Sequence, residues 1–393
     1  NLAEGQVPLS YAQERLWFID QLEGSQHYHI PTVLRLKGLL DLSSFKYAWY
    51  NLLTRHEILK TVYRQKDGMA YQSRITAEQW AIRQIEPAGR SLETLIQEEL
   101  SHSFDLENEL PIRVTLIKES PLEHLLLINL HHIAADGWSM SILIQELVEG
   151  YCAQLEKRTP TWPTLKVQYH DYAAWQRQYL TKEVMSDKLD WWALRLQDLS
   201  PLELPTDFSR PSIQSNRGGK LSFEVGIREK NALQQLTLKS GATAFITLLS
   251  AFKAWLYRYT GQQDIVVGTP VANRNDKELE DLIGFFVNTI VLRTQWDGDP
   301  RFVDLLEQIK TETISAFSYQ DVPFEKVVER LDPKRDLSRS PLFQVMFIYD
   351  NVPNHDIIQL PELELSTVKL PQEHTKFDLT CTISETPNAI RIE

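Results

Sequence analysis

The chain has 393 residues, enough for about two domains, each with a core of its own. Hydrophobic residues make up 42% and charged residues 24%, the balance of a folded globular protein rather than a disordered or fibrous one. Lys and Arg number 41 against 53 Asp and Glu, and a formal net charge of −12 with scattered basic residues excludes an electrostatic binder of nucleic acid or of a membrane surface.

Two cysteines occur, Cys152 and Cys381, far apart and without metal-ligand spacing. They fit the reducing cytoplasm and offer neither a disulfide framework nor a zinc knuckle. Apolar runs such as 125–130 and 242–252 are too short or too interrupted for a membrane span. The opening Asn1-Leu2-Ala3-Glu4-Gly5-Gln6 carries no export signal and no initiator Met, which points to a piece of a larger chain.

Ala12, Leu16, Ile19 and Leu22 recur at helical spacing behind Ser10, which predicts a helix over 12–22 with Ser10 as its cap. A strand at 32–36, a helix at 42–55, a strand at 59–63 and a helix at 92–100 follow by the same reading. Strands at 112–117 and 124–130 come next, and the second is almost continuously apolar, as a strand covered on both faces would be. A long helix opens at Ser139 and runs to about 155, then breaks in the polar, proline-containing 156–163. Helices rich in Trp and Tyr are expected at 169–179 and 188–199.

Residues 200–220 hold Pro201, Pro205, Pro211, Gly218 and Gly219, the best linker in the chain, so the domain boundary falls in or just before it. We divide the chain at 180/181. The second half predicts strands at 221–225, 264–270, 287–294 and 343–349, and helices at 229–238, 244–259 and 302–317. Two mixed α/β halves result.

The sharpest chemical feature is His131-His132-Ile133-Ala134-Ala135-Asp136-Gly137-Trp138-Ser139. A buried strand delivers two histidines at its end, and a short loop leads to a helix capped by Ser139. Adjacent strand residues face opposite ways, so only one histidine can face a given site. Imidazole suits proton transfer near neutrality. Asp136 is placed to fix the loop by pairing with an arginine, and Gly137 leaves room beside the backbone. Structural histidines at a strand end are the plainer alternative. A metal site is disfavoured, since neighbouring ligands on opposite faces do not converge and no second ligand cluster accompanies them. A Gly-x-Ser-x-Gly elbow and a phosphate-cradling glycine loop are both absent from the sequence. Spacing alone therefore reads as a His-dependent acyl- or proton-transfer site.

The motif His131-His132-x-x-x-Asp136-Gly137 resembles the signature of the condensation domains of nonribosomal peptide synthetases, and the likeness extends along nearly the whole chain. Ser10-Tyr11-Ala12-Gln13-Glu14-Arg15-Leu16-Trp17 resembles the family's opening helix. Arg55-His56-Glu57-Ile58-Leu59-Lys60-Thr61 resembles its second block, with Lys60 where Arg is commoner. Tyr169-His170-Asp171-Tyr172-Ala173-Ala174-Trp175, Ile283-Gly284-Phe285-Phe286-Val287-Asn288-Thr289 with Leu292-Arg293, Gln320-Asp321-Val322-Pro323-Phe324-Glu325, and Arg335-Asp336-Leu337-Ser338-Arg339-Ser340-Pro341-Leu342-Phe343-Gln344 follow in order.

The resemblance implies a V-shaped pseudo-dimer of two chloramphenicol acetyltransferase-like α/β lobes, 1–180 and 181–393, with a tunnel between them past the His motif. It implies acyl transfer without an intrinsic cofactor or metal. Donor and acceptor thioesters arrive on phosphopantetheine arms of upstream and downstream peptidyl carrier domains, beside an adenylation domain of the same module. His132 becomes the central catalytic histidine, supported by His131, Asp136 and Gly137. Asp136 is structural, with Arg274 as its expected partner. Trp138, Ser139 and Asn288 are structural or tunnel residues, and Asn288 bonds backbone rather than reacting. Gln13, Arg15, Arg55 and His56 read as buried polar scaffold, and 169–175 as core. Two alternatives remain, a non-catalytic docking module of the same fold and an ester-forming condensation domain. Leu130 stands where Met is common. The chain stops shortly after Phe377-Asp378-Leu379, which implies a second lobe cut short with an exposed sheet edge.

Overall fold

The computed structural model describes residues 6–24, 26–76, 80–215, 217–334, 336–350, 357–370 and 375–393. Arg335, at the head of the last motif block, and most of the opening segment, 1–5, lie outside the described residues. The chain forms two compact units. One takes the chain up to Thr181 together with 274–286 and 357–370, and the other takes 182–273, 287–350 and 375–393. The units thus differ from two continuous stretches, 1–180 and 181–393. Backbone pairing is the reason, because Leu363–Thr367 hydrogen-bonds along His29–Gly38.

In the first unit six strands run in the order Ile357–Leu360, Leu363–Thr367, His29–Gly38, Glu123–His131, Ile112–Ser120, Arg83–Ile85. The pairings are antiparallel except that of Arg83–Ile85 with Ile112–Ser120. Glu123–His131 is buried from His124 onward. Leu126, Ile128 and Leu130 enter the larger core, while Leu125 and Leu127 enter a smaller one with Leu95 of the helix Leu92–Ser101. Period-two alternation between two cores explains the nearly unbroken apolar run. Each fully buried leucine contributes roughly 1.5–3 kcal/mol relative to exposure. The strand end that carries the histidines is therefore anchored on both faces.

The helix Gly137–Leu155 leaves this strand through the loop and shares the larger core with Leu42–Arg55, Leu143, Leu147 and Tyr151 lying with Phe45, Ala48 and Trp49. A separate three-stranded sheet joins Val7–Pro8, Met69–Arg74 and Thr61–Lys66. The strand expected at 59–63 starts only at Thr61, because Glu57–Lys60 forms a 3-10 turn first.

The second unit's sheet runs Asn288–Gln295, Asp264–Val271, Val345–Asp350, Leu379–Glu385, Ile390–Ile392, Phe223–Val225. Val345–Asp350 is parallel to both neighbours, and the other pairs are antiparallel. Gly268 lets Phe343 lie against the sheet, since a Cβ there would stand 2.3 Å from the ring. Ile390–Ile392 is bracketed by two strands, so the exposed edge expected at the chain's end falls instead to Phe223–Val225. The helix Phe324–Leu331 and the strand Leu363–Thr367 have no counterpart among the predicted elements. At eight residues the helix offers barely two turns of pattern. Among the described residues no helix is long and apolar enough to cross a membrane.

Candidate active site

His131 and His132 have separate surroundings, as strand alternation requires. His131 is fully buried, with its ring 5.9 Å from both His29 and Phe104. The Ile133 N–H donates to its Nδ1 at 3.0 Å, so that nitrogen carries a lone pair and the ring is neutral. Burial, with His29 and His132 close by, lowers its pKa from 6.5 to about 3. His132 stands in the loop, half-buried, with its ring 5.7 Å from that of Phe285. Its Nδ1 lies 3.2 Å from the Ala135 carbonyl oxygen. A carbonyl only accepts, so Nδ1 bears the proton and neutral His132 carries its lone pair on Nε2.

Asp136 holds the loop. It is the N-cap of the helix Gly137–Leu155, a role that spacing alone assigns to Ser139; the Ser139 N–H donates to Asp136 Oδ1 at 2.9 Å, so Ser139 is already in the first turn. Oδ2 accepts from the Phe286 N–H at 3.1 Å. Arg274 Nη2 donates to Asp136 Oδ1 at 3.2 Å and to Ser139 Oγ at 3.1 Å, while Nη1 donates to the carbonyls of Leu279 at 2.5 Å and Leu282 at 2.7 Å. Ser139 Oγ also accepts from the Gly284 N–H at 3.0 Å. These bonds hold 274–286 against the histidine loop and thereby seat Phe285 on His132. Burial lowers the Arg274 pKa, and Asp136 opposes that shift.

The other predicted residues fall into three groups. Trp138 donates its indole N–H to the Glu280 carbonyl at 3.0 Å and stays partly exposed, while Gly137 is exposed with nothing within 4 Å of where a Cβ would stand. Asn288, in the second unit, spends its amide on backbone, donating to the Gln320 and Val322 carbonyls and accepting from the Phe324 N–H. Gln13 and His56 are buried, and Arg55 is nearly so.

Arg15 is not buried scaffold. Gln13, Leu16 and Trp17 take the inward phase of the helix Tyr11–Glu23, which turns Arg15 outward. Trp175 is likewise 52% exposed rather than core, stacked on Tyr179 at 5.0 Å, whereas Tyr169 and Tyr172 are buried.

Sequence reasoning missed Phe285, Tyr63 and Glu146. Glu146 is buried and binds Arg55 Nε at 2.9 Å and His56 Nε2 at 2.7 Å. Its signal was a lone carboxylate on the apolar phase Leu143, Leu147, Gly150 of its helix. Lys253 is the same kind of signal in the second unit. Fully buried, it donates to the Leu292 carbonyl at 2.9 Å and lies 2.8 Å from Thr294 Oγ1, and burial lowers its pKa to about 7.

Both cysteines are free, and burial raises both thiols, Cys381 to about 11. Neither is primed as a nucleophile. Among the described residues no cluster of three His, Cys, Asp or Glu side chains is arranged to hold a metal ion.

Mixed sheets flanked by helices make each unit α/β, as the chloramphenicol acetyltransferase-like fold implied by the resemblance requires. The condensation domain family model matches residues 3–393. A linear gramicidin synthase polypeptide of Brevibacillus parabrevis is 42% identical over 97% of this chain, which spans only 5% of that protein's length. The dimodular nonribosomal peptide synthase of Bacillus subtilis (strain 168) is 39% identical over 98% of this chain, which spans 17% of its length. Among solved structures, the X-domain in complex with OxyB from teicoplanin biosynthesis is 28% identical with a TM-score of 0.87, covering 100% of this chain and 88% of the other. The first condensation domain of the calcium-dependent antibiotic synthetase matches in fold with a TM-score of 0.76 at 18% identity, covering 100% of this chain and 90% of the other. The chain belongs to the condensation-domain family of nonribosomal peptide synthetases.

Proposed function

We propose that this domain joins an acceptor aminoacyl thioester to a donor aminoacyl or peptidyl thioester, each carried on the phosphopantetheine arm of a carrier domain. The acceptor's amino nitrogen attacks the donor carbonyl carbon, the C–N bond forms, and the C–S bond breaks. The amine's proton passes through His132 Nε2 to the departing thiolate. The observation that carries this reading is the His132 Nδ1–H bond to the Ala135 carbonyl, which puts the lone pair of the neutral imidazole on Nε2, the atom able to accept an N–H. Open space over Gly137 supports the approach of a slender arm beside the loop. No bound cofactor enters the scheme, and the partners are the flanking carrier domains and an adenylation domain of the same cytoplasmic synthetase.

The experiment loads defined donor and acceptor groups on separate carrier proteins, mixes them with the domain, and identifies the product by mass spectrometry. A dipeptidyl thioester on the acceptor carrier is expected. A hydroxyacyl acceptor giving the only product would indicate ester formation instead. The likeness to the X-domain, whose solved complex holds OxyB, supports a second reading as a docking module. Absence of product with every loaded pair, together with binding to a tailoring enzyme, would favour it.

A further inference from the structure

The N-terminus of the helix Tyr11–Glu23 carries more than a helix cap. Ser10 and Gln13 form a reciprocal capping box, the Gln13 N–H donating to Ser10 Oγ at 3.2 Å and the Ser10 N–H to Gln13 Oε1 at 3.1 Å. Both side chains are fully buried, and each reaches further. Gln13 Nε2 donates to the Ile133 carbonyl at 3.1 Å and to Tyr63 Oη at 3.3 Å, and the Tyr63 hydroxyl donates to the same carbonyl at 3.3 Å. On the other side, the Tyr169 hydroxyl donates to the Phe285 carbonyl at 2.7 Å, and Ser10 Oγ lies 2.9 Å from Tyr169 Oη. The phenol's single hydrogen is committed to Phe285, so the Ser10 hydroxyl donates to the phenol oxygen. Burial pushes both phenols well above their ordinary range, so their hydrogens stay in place.

Two donor chains therefore start at one helix cap and end on two neighbours of His132. One ends at Ile133, the next residue in the loop, and the other at Phe285, whose ring packs on the His132 ring. The seat for Tyr169 is tight, since a Cβ on Gly284 would stand 2.1 Å from its ring. We propose that Ser10, Gln13, Tyr63 and Tyr169 are positioning residues that hold His132 in its reactive orientation through its neighbours Ile133 and Phe285. The proposal rests on the reading of His132 as the reacting imidazole. The reason is geometric, because a displacement on the order of 1 Å at a reacting group costs about 10²-fold in rate.

The test uses Tyr63→Phe, Tyr169→Phe and the double variant, which keep both rings and delete only hydroxyls. Histidine-selective 15N NMR of the substrate-free domain, with His132 assigned by loss of its signals in His132→Gln, reports tautomer and orientation. Single-turnover condensation with saturating loaded carriers reports rate, and varying carrier concentration separates KM from kcat. The double variant is expected to lose about 10–100-fold in kcat with KM unchanged. Its His132 resonances should move from a single-tautomer pattern toward an average of two, and each single variant should show part of both effects. Unmoved His132 resonances overturn the proposal even if the rate falls, and so does a rate within twofold of the parent even if the resonances move. If the parent makes no product, the condensation reading fails while the resonances still decide whether the network positions His132. Should the double variant not fold, the single variants decide both readouts.

Discussion

Asp136 and Arg274 meet at 3.2 Å although they lie 138 positions apart, with side chains only 1% and 2% exposed. Burial in a low dielectric opposes both charges, so the pair's worth lies less in net stability than in what it connects. It ties the histidine loop to 274–286 and so brings Phe285 to His132.

Removing one partner should be far costlier than the intact pair is valuable. Asp136→Ala leaves the Arg274 guanidinium buried without its counter-charge and should cost about 3–5 kcal/mol, read as a lower unfolding midpoint and poor solubility. A variant that melts like the parent yet turns nothing over would move Asp136 from a structural role into direct chemistry.

His132 can be tested for proton transfer as opposed to orientation. An α-amino group has a pKa near ~8, so much of it is neutral at working pH before any base acts. If Nε2 takes the proton as the C–N bond forms, His132→Gln should fail almost as badly as His132→Ala, by about 10²–10⁴-fold in single-turnover rate. A Gln variant near the parental rate would mean that hydrogen bonding suffices and that His132 is no base.

Gly137 offers an independent check on substrate passage. Its backbone is not left-handed and a Cβ would meet nothing, so Gly137→Ala, at the first turn of a helix, should leave stability unchanged or raise it by up to about 1 kcal/mol. Turnover should nevertheless fall if, as proposed, the thioester arm passes beside the loop at Gly137. Unchanged kcat and KM together would remove Gly137 from the site.

The buried neutral His131 predicts an acid sensitivity with a definite sign. Its pKa is about 3 in the fold against 6.5 ordinarily, so between those values the unfolded chain takes up a proton that the folded one refuses. Its contribution is complete above about pH 6.5 and is lost as pH falls toward 3, with a slope of up to ~1.4 kcal/mol per pH unit. Urea unfolding from pH 7.5 to 4 on the parent and His131→Gln should show the steeper decline in the parent. Parallel curves would mean that His131 does take up its proton in the fold.

The strand–loop–helix around His131 and His132 was legible because its signals are local: an apolar run, adjacent histidines, then a glycine opening a helix. That Asp136 would pair with an arginine was legible from its place in the loop, but the choice of Arg274 came from the resemblance to the family's motifs. The cap was misassigned since Asp136 and Ser139 both suit that position, and only the bond from the Ser139 N–H decides between them. Arg15 and Trp175 were misjudged for want of helix phase, which is fixed by where Gln13 and Tyr172 must point. The bonds that end on Ile133 and on Phe285 could not be read as a network. They join Gln13, Tyr63 and Tyr169, whose hydroxyls and amide give no pattern in sequence until packing brings them together.

Because 274–286 and 357–370 belong to the first unit, that unit cannot close as it leaves the ribosome. At ordinary synthesis rates the wait after residue 181 is roughly 10–40 s, spent while most of the second unit is being made. Throughout it, His29–Gly38 presents a bare edge to any passing strand, and for about the first half of it the Asp136 carboxylate has no guanidinium. The same interleaving governs how the domain can be cut and joined. A junction at 181 severs residues that the histidine loop needs, so grafting the front half of this chain onto the back half of a relative exchanges Arg274, Phe285 and a sheet strand along with it.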